Sequence, residues 1–225
     1  MEVVIPTYND YRCLPKIIRV LERSHFKGIH SISQIHVIDN NSKPEIGMIL
    51  KRLSSEFSKV IYHFCSEQGK GNALRLGIQK STEDLLFVDA DIENFSLQMI
   101  SPIIDNFKKQ RIFVKAYFVR SNGQSNSAFV LDELRQLFPR LKVRRPTCGI
   151  YCVARAILEK INVSEDWSCD LSILIQAHLL GFPIVEVEIG EIKDKARAQS
   201  SLLESKDCLK QEIERLRGFA HGIVC

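Results

Sequence analysis

LLFVDADIENF, Leu85 to Phe95, runs from apolar residues into two aspartates one residue apart. A short apolar run bounded by turn formers suits a strand covered on both faces, as in a parallel sheet. In extended backbone, residues i and i+2 point to the same side. If that geometry continues through Ala90, the carboxylates of Asp89 and Asp91 lie side by side and repel each other. A cation between them relieves the repulsion. The alternative is a solvated turn, where aspartate is common, and the segment alone does not choose between the two.

Upstream of it, short β-branched runs alternate with helical patterns. EVVIP is the first strand, and Pro6 is expected to stop its ladder pairing. LPKIIRVLERS follows, with Leu14, Ile17, Ile18 and Leu21 at helical spacing. Then come the strand QIHVID, a helix around IGMILKRLSSEF, the strand KVIYHF, the helix GNALRLGIQKS and DLLFVDAD. This alternation predicts an α/β fold, a Rossmann-like, mainly parallel sheet flanked by helices. Downstream, IFVKAYFV reads as a strand and NSAFVLDELRQLF as a helix begun by Asn126 or Ser127. DLSILIQAHLLG is a helix closed by Gly181, with PIVEVEIGEI alternating behind it. The tail LLESKDCLKQEIERLRGF predicts a C-terminal helix with an apolar stripe at Leu202, Leu209, Ile213 and Leu216. Such a stripe packs on its own domain or on a second copy in a homodimer.

Hydrophobic residues make up 45% and charged residues 26% of the 225, as in an ordinary water-soluble protein. The longest apolar runs fall far short of the ~20 residues that cross a bilayer, so no stable membrane anchor is expected. The first strand candidate starts at the second residue, which leaves no room for a cleavable leader, so a cytoplasmic location is expected. Seven scattered cysteines suit reduced packing residues better than a disulfide framework. Cys148 and Cys152 form the one close pair, a poor zinc signature without nearby histidines. The net charge of +4 is too small to argue for nucleic acid. It is unevenly spread, however: Arg111, Lys115, Arg120, Arg135, Arg140, Lys142, Arg144 and Arg145 face only Asp132 and Glu133. That zone suits an anionic small molecule, or is a set of solvated helix faces.

Ligands of open α/β sheets bind beyond the carboxyl ends of the strands. Here those ends are PTYND, DNNS, CSEQGKGNA and DADIENF, all polar and rich in carboxylates and amides. Gly69, Lys70 and Gly71 place flexible backbone and one cation ahead of a helix, where N–H groups can meet an oxyanion. The spacing matches neither a P-loop nor a dinucleotide fingerprint.

In order and separation, VVIPTYND, HVIDNNS, GKGNALRLGI and FVDADI resemble the family 2-like glycosyltransferases of the GT-A fold, which use nucleotide sugars. VKAYF, LRQLFPRL, RRPTCGIYCVARAILEKI, DWSCDLSILIQAHLLG and VEVEIGEIKDKAR narrow the likeness to glucosyl-3-phosphoglycerate synthases. The resemblance implies a single GT-A domain over 1–225: a nucleotide-sugar half at 1–115, an acceptor half at 116–200 and the C-terminal helix at 201–225. It implies that Pro6, Thr7, Tyr8 and Asn9 hold base and ribose, that Asp39 reads the uracil or ribose, and that Lys70 lies beside the nucleotide. Asp91 becomes the principal ligand of Mg²⁺ or Mn²⁺, with Asp89 nearer the ribose. Asp194 falls where the synthases carry a metal-binding histidine.

The synthases' acidic residue ahead of a second-half helix corresponds to Asp170. It is expected to act on sugar hydroxyls or in catalysis, or else to cap the helix LSILIQAHLLG. His178 sits in an apolar helix with no second ligand near it, and His25, His30, His36, His63 and His221 carry no motif. The implied reaction moves a hexose, glucose from UDP-glucose, to a small anionic acceptor such as 3-phosphoglycerate, with Lys115, Arg144 and Arg145 on the acceptor side. The rival readings are a transferase acting on polyprenyl phosphate, a nucleotidyltransferase, and a nucleotide-sugar-binding protein without turnover.

Overall fold

The structure, a computed structural model, describes residues 1–23, 32–110, 112–120, 130–194 and 199–220, with backbone only at 120, 199–203 and 219–220. Arg111, His25, His30, His221, the helix start at Asn126 or Ser127 and the side chains of Arg120 and Leu202 lie outside what is described.

The strands β1 (Glu2–Thr7), β2 (Ile35–Asp39), β3 (Val60–Phe64), β4 (Leu85–Phe87), β5 (Phe113–Arg120), β6 (Tyr151–Val153) and β7 (Ile184–Ile192) form one sheet in the order β3-β2-β1-β4-β6-β5-β7. Only β6 runs against its neighbours. The helices α1 (Leu14–Glu22), α2 (Pro44–Ser55) and α3 (Lys70–Lys80) make the crossovers between the first four strands, as the alternating pattern predicts. Leu14, Ile17, Ile18 and Leu21 of α1 are all fully buried, so the helical spacing in the sequence is the packed stripe. β2 is buried along its whole length, as expected of an inner strand of a parallel sheet covered on both faces.

The second half adds α4 (Leu97–Gln110), α5 (Leu131–Leu137), α6 (Arg155–Leu158), α7 (Cys169–Leu179) and α8 (Gln199–Ala220). Leu209, Ile213 and Leu216 of α8 are buried, and the helix packs on α7 of its own chain. No helix among the described residues is long and apolar enough to cross a membrane. The six described cysteines are unpaired thiols.

Two local expectations need correction. Pro6 does not end the ladder to β2, because Pro6 pairs with Ile38 and Thr7 with Asp39. Along a strand a residue's N–H and C=O face one side, and Val4 accepts from Val88 on the β4 side. Pro6, two residues on, therefore presents its missing N–H toward β4, and pairing with that strand stops at Val4. β4 itself ends at Phe87 and the chain turns at Ala90 and Asp91, so the two aspartates are not neighbours on one face of a strand.

On the β1–β2–β3 side, His36 and His63 share a hydrogen bond of 3.0 Å, and His36 Nε2 lies 3.5 Å from Glu2 Oε2. Burial pushes the His63 pKa down to about 4, helped by His36 and Lys80. Burial also lowers that of His36, although Glu2 opposes it. Unfolded histidine protonates near pH 6.5, so between pH 6.5 and about 4 the unfolded chain binds more protons than the folded one. Acidification through that window therefore costs stability. We expect the melting temperature to fall as pH drops from 7 to 4, and His63→Gln to fall less steeply. Parallel melting curves for the two proteins would overturn this account.

Candidate active site

β1 leads to β2 on one side while β4 lies on its other side, so the sheet's switch point falls between β1 and β4. A cleft of about 390 Å³ opens there, above the carboxyl ends of the strands. Pro6, Thr7, Tyr8 and Asp10 from the segment after β1 line it, with Asn40 from the segment after β2. Gln68, Gly69 and Lys70 at the start of α3 and Asp89, Ala90 and Asp91 after β4 complete that side. Trp167 and Glu204, from the loop before α7 and from α8, supply further wall. Neither had been singled out in the sequence, although Trp167 is the one tryptophan and stands within the DWSCD motif.

Lys70 is the first residue of α3, and its ammonium donates to Asp89 Oδ1 and to Asp170 Oδ2, each at 2.7 Å. Its side chain is only 10% exposed. Burial alone would lower its pKa, but the two carboxylates outweigh it and hold the pKa well above the ordinary lysine value. Asp170 Oδ1 accepts the Tyr151 hydroxyl at 2.9 Å. Tyr151 is fully buried, and its pKa is raised by burial and then by Asp170. Ser168, not Asp170, is the N-cap of α7, so the capping role expected for Asp170 is not the one observed. Asp170 is 4% exposed, with each of its oxygens on a protein donor.

Glycine positions the triad. A Cβ at Gly71 would fall 1.7 Å from Ser164 O, so α3 reaches the loop ahead of α7 only because residue 71 has no side chain. Three N–H groups of the glycine-rich turn and the residue after it are held by the protein itself. Gly69 N donates to Asn40 Oδ1 at 2.9 Å, Gly71 N to Asp166 O at 3.1 Å and Asn72 N to Glu165 O at 3.1 Å. A Cβ at Gly149 would lie 2.2 Å from Asp89 Oδ2, so the bare backbone before β6 makes the seat for that carboxylate.

Other expected contacts stand further back. Asn9 adopts a left-handed φ of 51° and ties the β1 loop to the next one, its N–H on Ser42 Oγ and its Oδ1 accepting from Lys43 N. Asp39 is 1% exposed, and its oxygens accept from Ser42 N at 3.0 Å and Tyr62 O–H at 2.8 Å. It is not among the residues that line the cleft. Asp194 pairs in an antiparallel bridge with Ile92, the residue after Asp91, and Glu93 N donates to Lys193 O at 2.8 Å. The chain thus brings Asp194 beside the aspartate segment. Among the described residues, no three His, Cys, Asp or Glu side chains converge as a metal-holding group.

Lys115 is a correction. It is fully buried, its ammonium donates to Cys148 O and lies 4.6 Å from the Tyr151 ring centroid, and burial lowers its pKa. It supports Tyr151 from within the sheet and does not line the cleft. Arg144 and Arg145 do not line the cleft. Their backbone N–H groups donate to Glu186 at 2.7 and 2.9 Å, and Arg145 Nε donates to Phe118 O. The exposed Arg144 guanidinium lies 4.5 Å above the Tyr117 ring.

The glycosyl transferase family 2 model matches residues 2–161. No curated protein sequence matches the chain. Among solved structures, a mycobacterial protein superimposes with a TM-score of 0.82 at 18% identity, over 100% of this chain and 75% of its own. Glucosyl-3-phosphoglycerate synthase from Mycobacterium tuberculosis, in complex with Mn²⁺, uridine-diphosphate-glucose and phosphoglyceric acid, superimposes with a TM-score of 0.80 at 17% identity, over 96% and 79%. The same enzyme with Mn²⁺, uridine-diphosphate and glucosyl-3-phosphoglycerate gives 0.79 at 17%, over 100% and 80%. At such identities the likeness speaks for the fold, which is the GT-A fold. Because the family model runs from β1 through β6 and takes in every cleft segment before residue 162, the chain belongs to glycosyl transferase family 2 and is a glycosyltransferase.

Proposed function

We propose that the protein transfers glucose from UDP-glucose to a small anionic acceptor such as 3-phosphoglycerate, with Mg²⁺ or Mn²⁺ bound beside the donor. The observation that carries this reading is the charge of the cleft. Among the described residues, Asp10, Asp89, Asp91 and Glu204 line it, against the one lining ammonium of Lys70, which two carboxylates already hold. A nucleoside diphosphate brings at least two further negative charges, and in a partly desolvated cleft that repulsion opposes binding unless a cation enters as well.

The donor set fits such a cation. Aspartate oxygens suit hard divalent ions, and Asp91 with Asp194 would hold it while Asp89 stays with Lys70. When bound, the ion supplies Lewis-acid stabilisation of the leaving diphosphate. The chain's own groups do the remaining work. Thr7, Tyr8 and Asn40 receive base and ribose, and Asn9 and Asp39 hold the loops that carry those residues. Lys70 has used two of its three N–H groups on carboxylates and offers the third to the diphosphate or sugar. Trp167 and Glu204 bound the sugar and exclude water. Arg144 is the acceptor-side cation with a guanidinium at the surface, suited to a phosphate or carboxylate by its planar fork. The solved relatives that bind UDP-glucose and phosphoglyceric acid support this choice of substrates.

Thermal shift with UDP-glucose tests the donor and metal together. A ligand at a hundred times its Kd stabilises by about 2.7 kcal/mol, so stabilisation is expected with Mn²⁺ and little without it. Asp91→Ala should fold normally and lose the metal-dependent part. Undiminished stabilisation of that variant by UDP and Mn²⁺ would place the ion elsewhere. Slow release of glucose from UDP-glucose by the wild type separates an enzyme from a binder without turnover.

Gly149→Ala tests the seat of Asp89. The added methyl displaces the carboxylate, so UDP affinity in Mn²⁺ should fall at least 10-fold in a protein that still folds, and full affinity would show that Asp89 tolerates displacement. On the acceptor side, Arg144→Ala should raise KM for 3-phosphoglycerate about 10-fold or more and leave donor hydrolysis unchanged, as expected when a bond to a charged group is lost. Equal kinetics would remove Arg144 from the acceptor site.

A further inference from the structure

At the end of β4, the sheet register sets Val4, Phe87, Tyr151, Lys115 and Glu186 in a row across five strands. In most sheets such a layer is apolar throughout. Here it holds a tyrosine and a lysine, both at 0% exposure. The Tyr151 ring packs against Phe87 and Phe113 at centroid distances of 4.8 and 5.4 Å, which fixes the ring plane. A buried phenol needs a partner, and this one reaches out of the layer to Asp170 Oδ1.

We propose that Tyr151 is a positioning residue of the transfer reaction, acting through Asp170 to hold the Lys70 ammonium at the cleft. The inference rests on the donor reading above and adds a residue that the motifs do not name. A carboxylate free to turn about its last torsion would present either oxygen to Lys70 at varying distance. With the hydroxyl on Oδ1, Asp170 keeps Oδ2 on the ammonium at 2.7 Å. Asp89 Oδ1 holds a second N–H at 2.7 Å. Two directions of a tetrahedral ammonium then determine the third, which is the one left for a ligand. The triad of one ammonium and two carboxylates carries an excess negative charge, and the neutral hydroxyl answers it without adding another ion. The Lys115 ammonium against the ring face draws electron density from the ring and strengthens the O–H as a donor.

Tyr151→Phe removes one oxygen and keeps the ring between Phe87 and Phe113. The first measurement needs no turnover. In protein labelled with ¹⁵N-lysine, the buried Lys70 ammonium should give a slowly exchanging ¹H–¹⁵N signal, identified by its loss in Lys70→Met. In Tyr151→Phe that signal should shift or broaden through faster exchange, and an unchanged signal would overturn the proposal. The second measurement is a kinetic cycle with UDP-glucose and Mn²⁺. Tyr151→Phe should lower kcat at least 10-fold with the donor KM within 2-fold, and should have no further effect in a Lys70→Met background, because both changes remove the same held ammonium. Equal losses in the two backgrounds, or full kcat in Tyr151→Phe, would make the hydroxyl a purely structural group and defeat the proposal. If Tyr151→Phe does not fold, Asp170→Asn with Lys70→Met runs the same cycle one link closer to the ammonium. A wild type that does not turn over UDP-glucose, but whose Lys70 signal responds to Tyr151→Phe, would defeat the donor reading and leave the positioning role standing.

Discussion

An ammonium withdrawn from water must have its charge answered within hydrogen-bond range, and that requirement organises the site around Lys70. Three elements far apart in sequence meet there: the start of α3, the turn after β4, and the first turn of α7. Breaking a buried pair by removing one partner costs about 3–5 kcal/mol, because the remaining charge is left unanswered. The triad therefore fastens the second half of the chain to the first. It does so at the point where the cleft opens, so the same charges that hold the fold together also set the potential that a ligand meets.

The close approach behind the triad depends on missing side chains rather than on attraction. Gly71 lets α3 touch the 164–166 loop, and Gly149 leaves room for the Asp89 carboxylate. Once the chain is that close, the Gly71 and Asn72 N–H groups at the start of α3 bond to backbone carbonyls of that loop. The proline in β1 works in the same sense. By withholding an N–H on the β4 side, Pro6 stops pairing there and leaves space between two strands that are bonded lower down. Absence of a Cβ or of an N–H is thus as much a part of the cleft as the groups that line it.

Much of this was legible in the residue order. Leu14, Ile17, Ile18 and Leu21 show their packing by spacing, and the polar segments after the first four strands all meet at one end of the sheet. The short second-half strand Tyr151–Val153 was not legible, because three residues buried on both faces carry no period. The helix Leu97–Gln110 went unmarked beside the aspartate motif, although Met99, Ile100, Ile103, Ile104 and Phe107 form its buried stripe. Lys115 was misread for a different reason. A lysine in a basic stretch looks like surface, and only its register opposite Tyr151 puts it inside.

Local chemistry along the chain was sufficient for the strand–helix alternation, because periodicity and turn chemistry act over a few residues, while the family and the candidate residues Thr7, Tyr8, Lys70, Asp89 and Asp91 came from the resemblance of its motifs. Which of the candidates share a site was settled by contacts between residues up to a hundred positions apart, such as Lys70 with Asp170. Tertiary packing alone put Asp39 on the Tyr62 hydroxyl and gave Asp170 to Lys70 instead of to the helix end. It also brought Trp167 and Glu204 to the cleft wall. A side chain's role follows from the donors and charges that surround it, and those are supplied by the folded chain rather than by its neighbours in sequence.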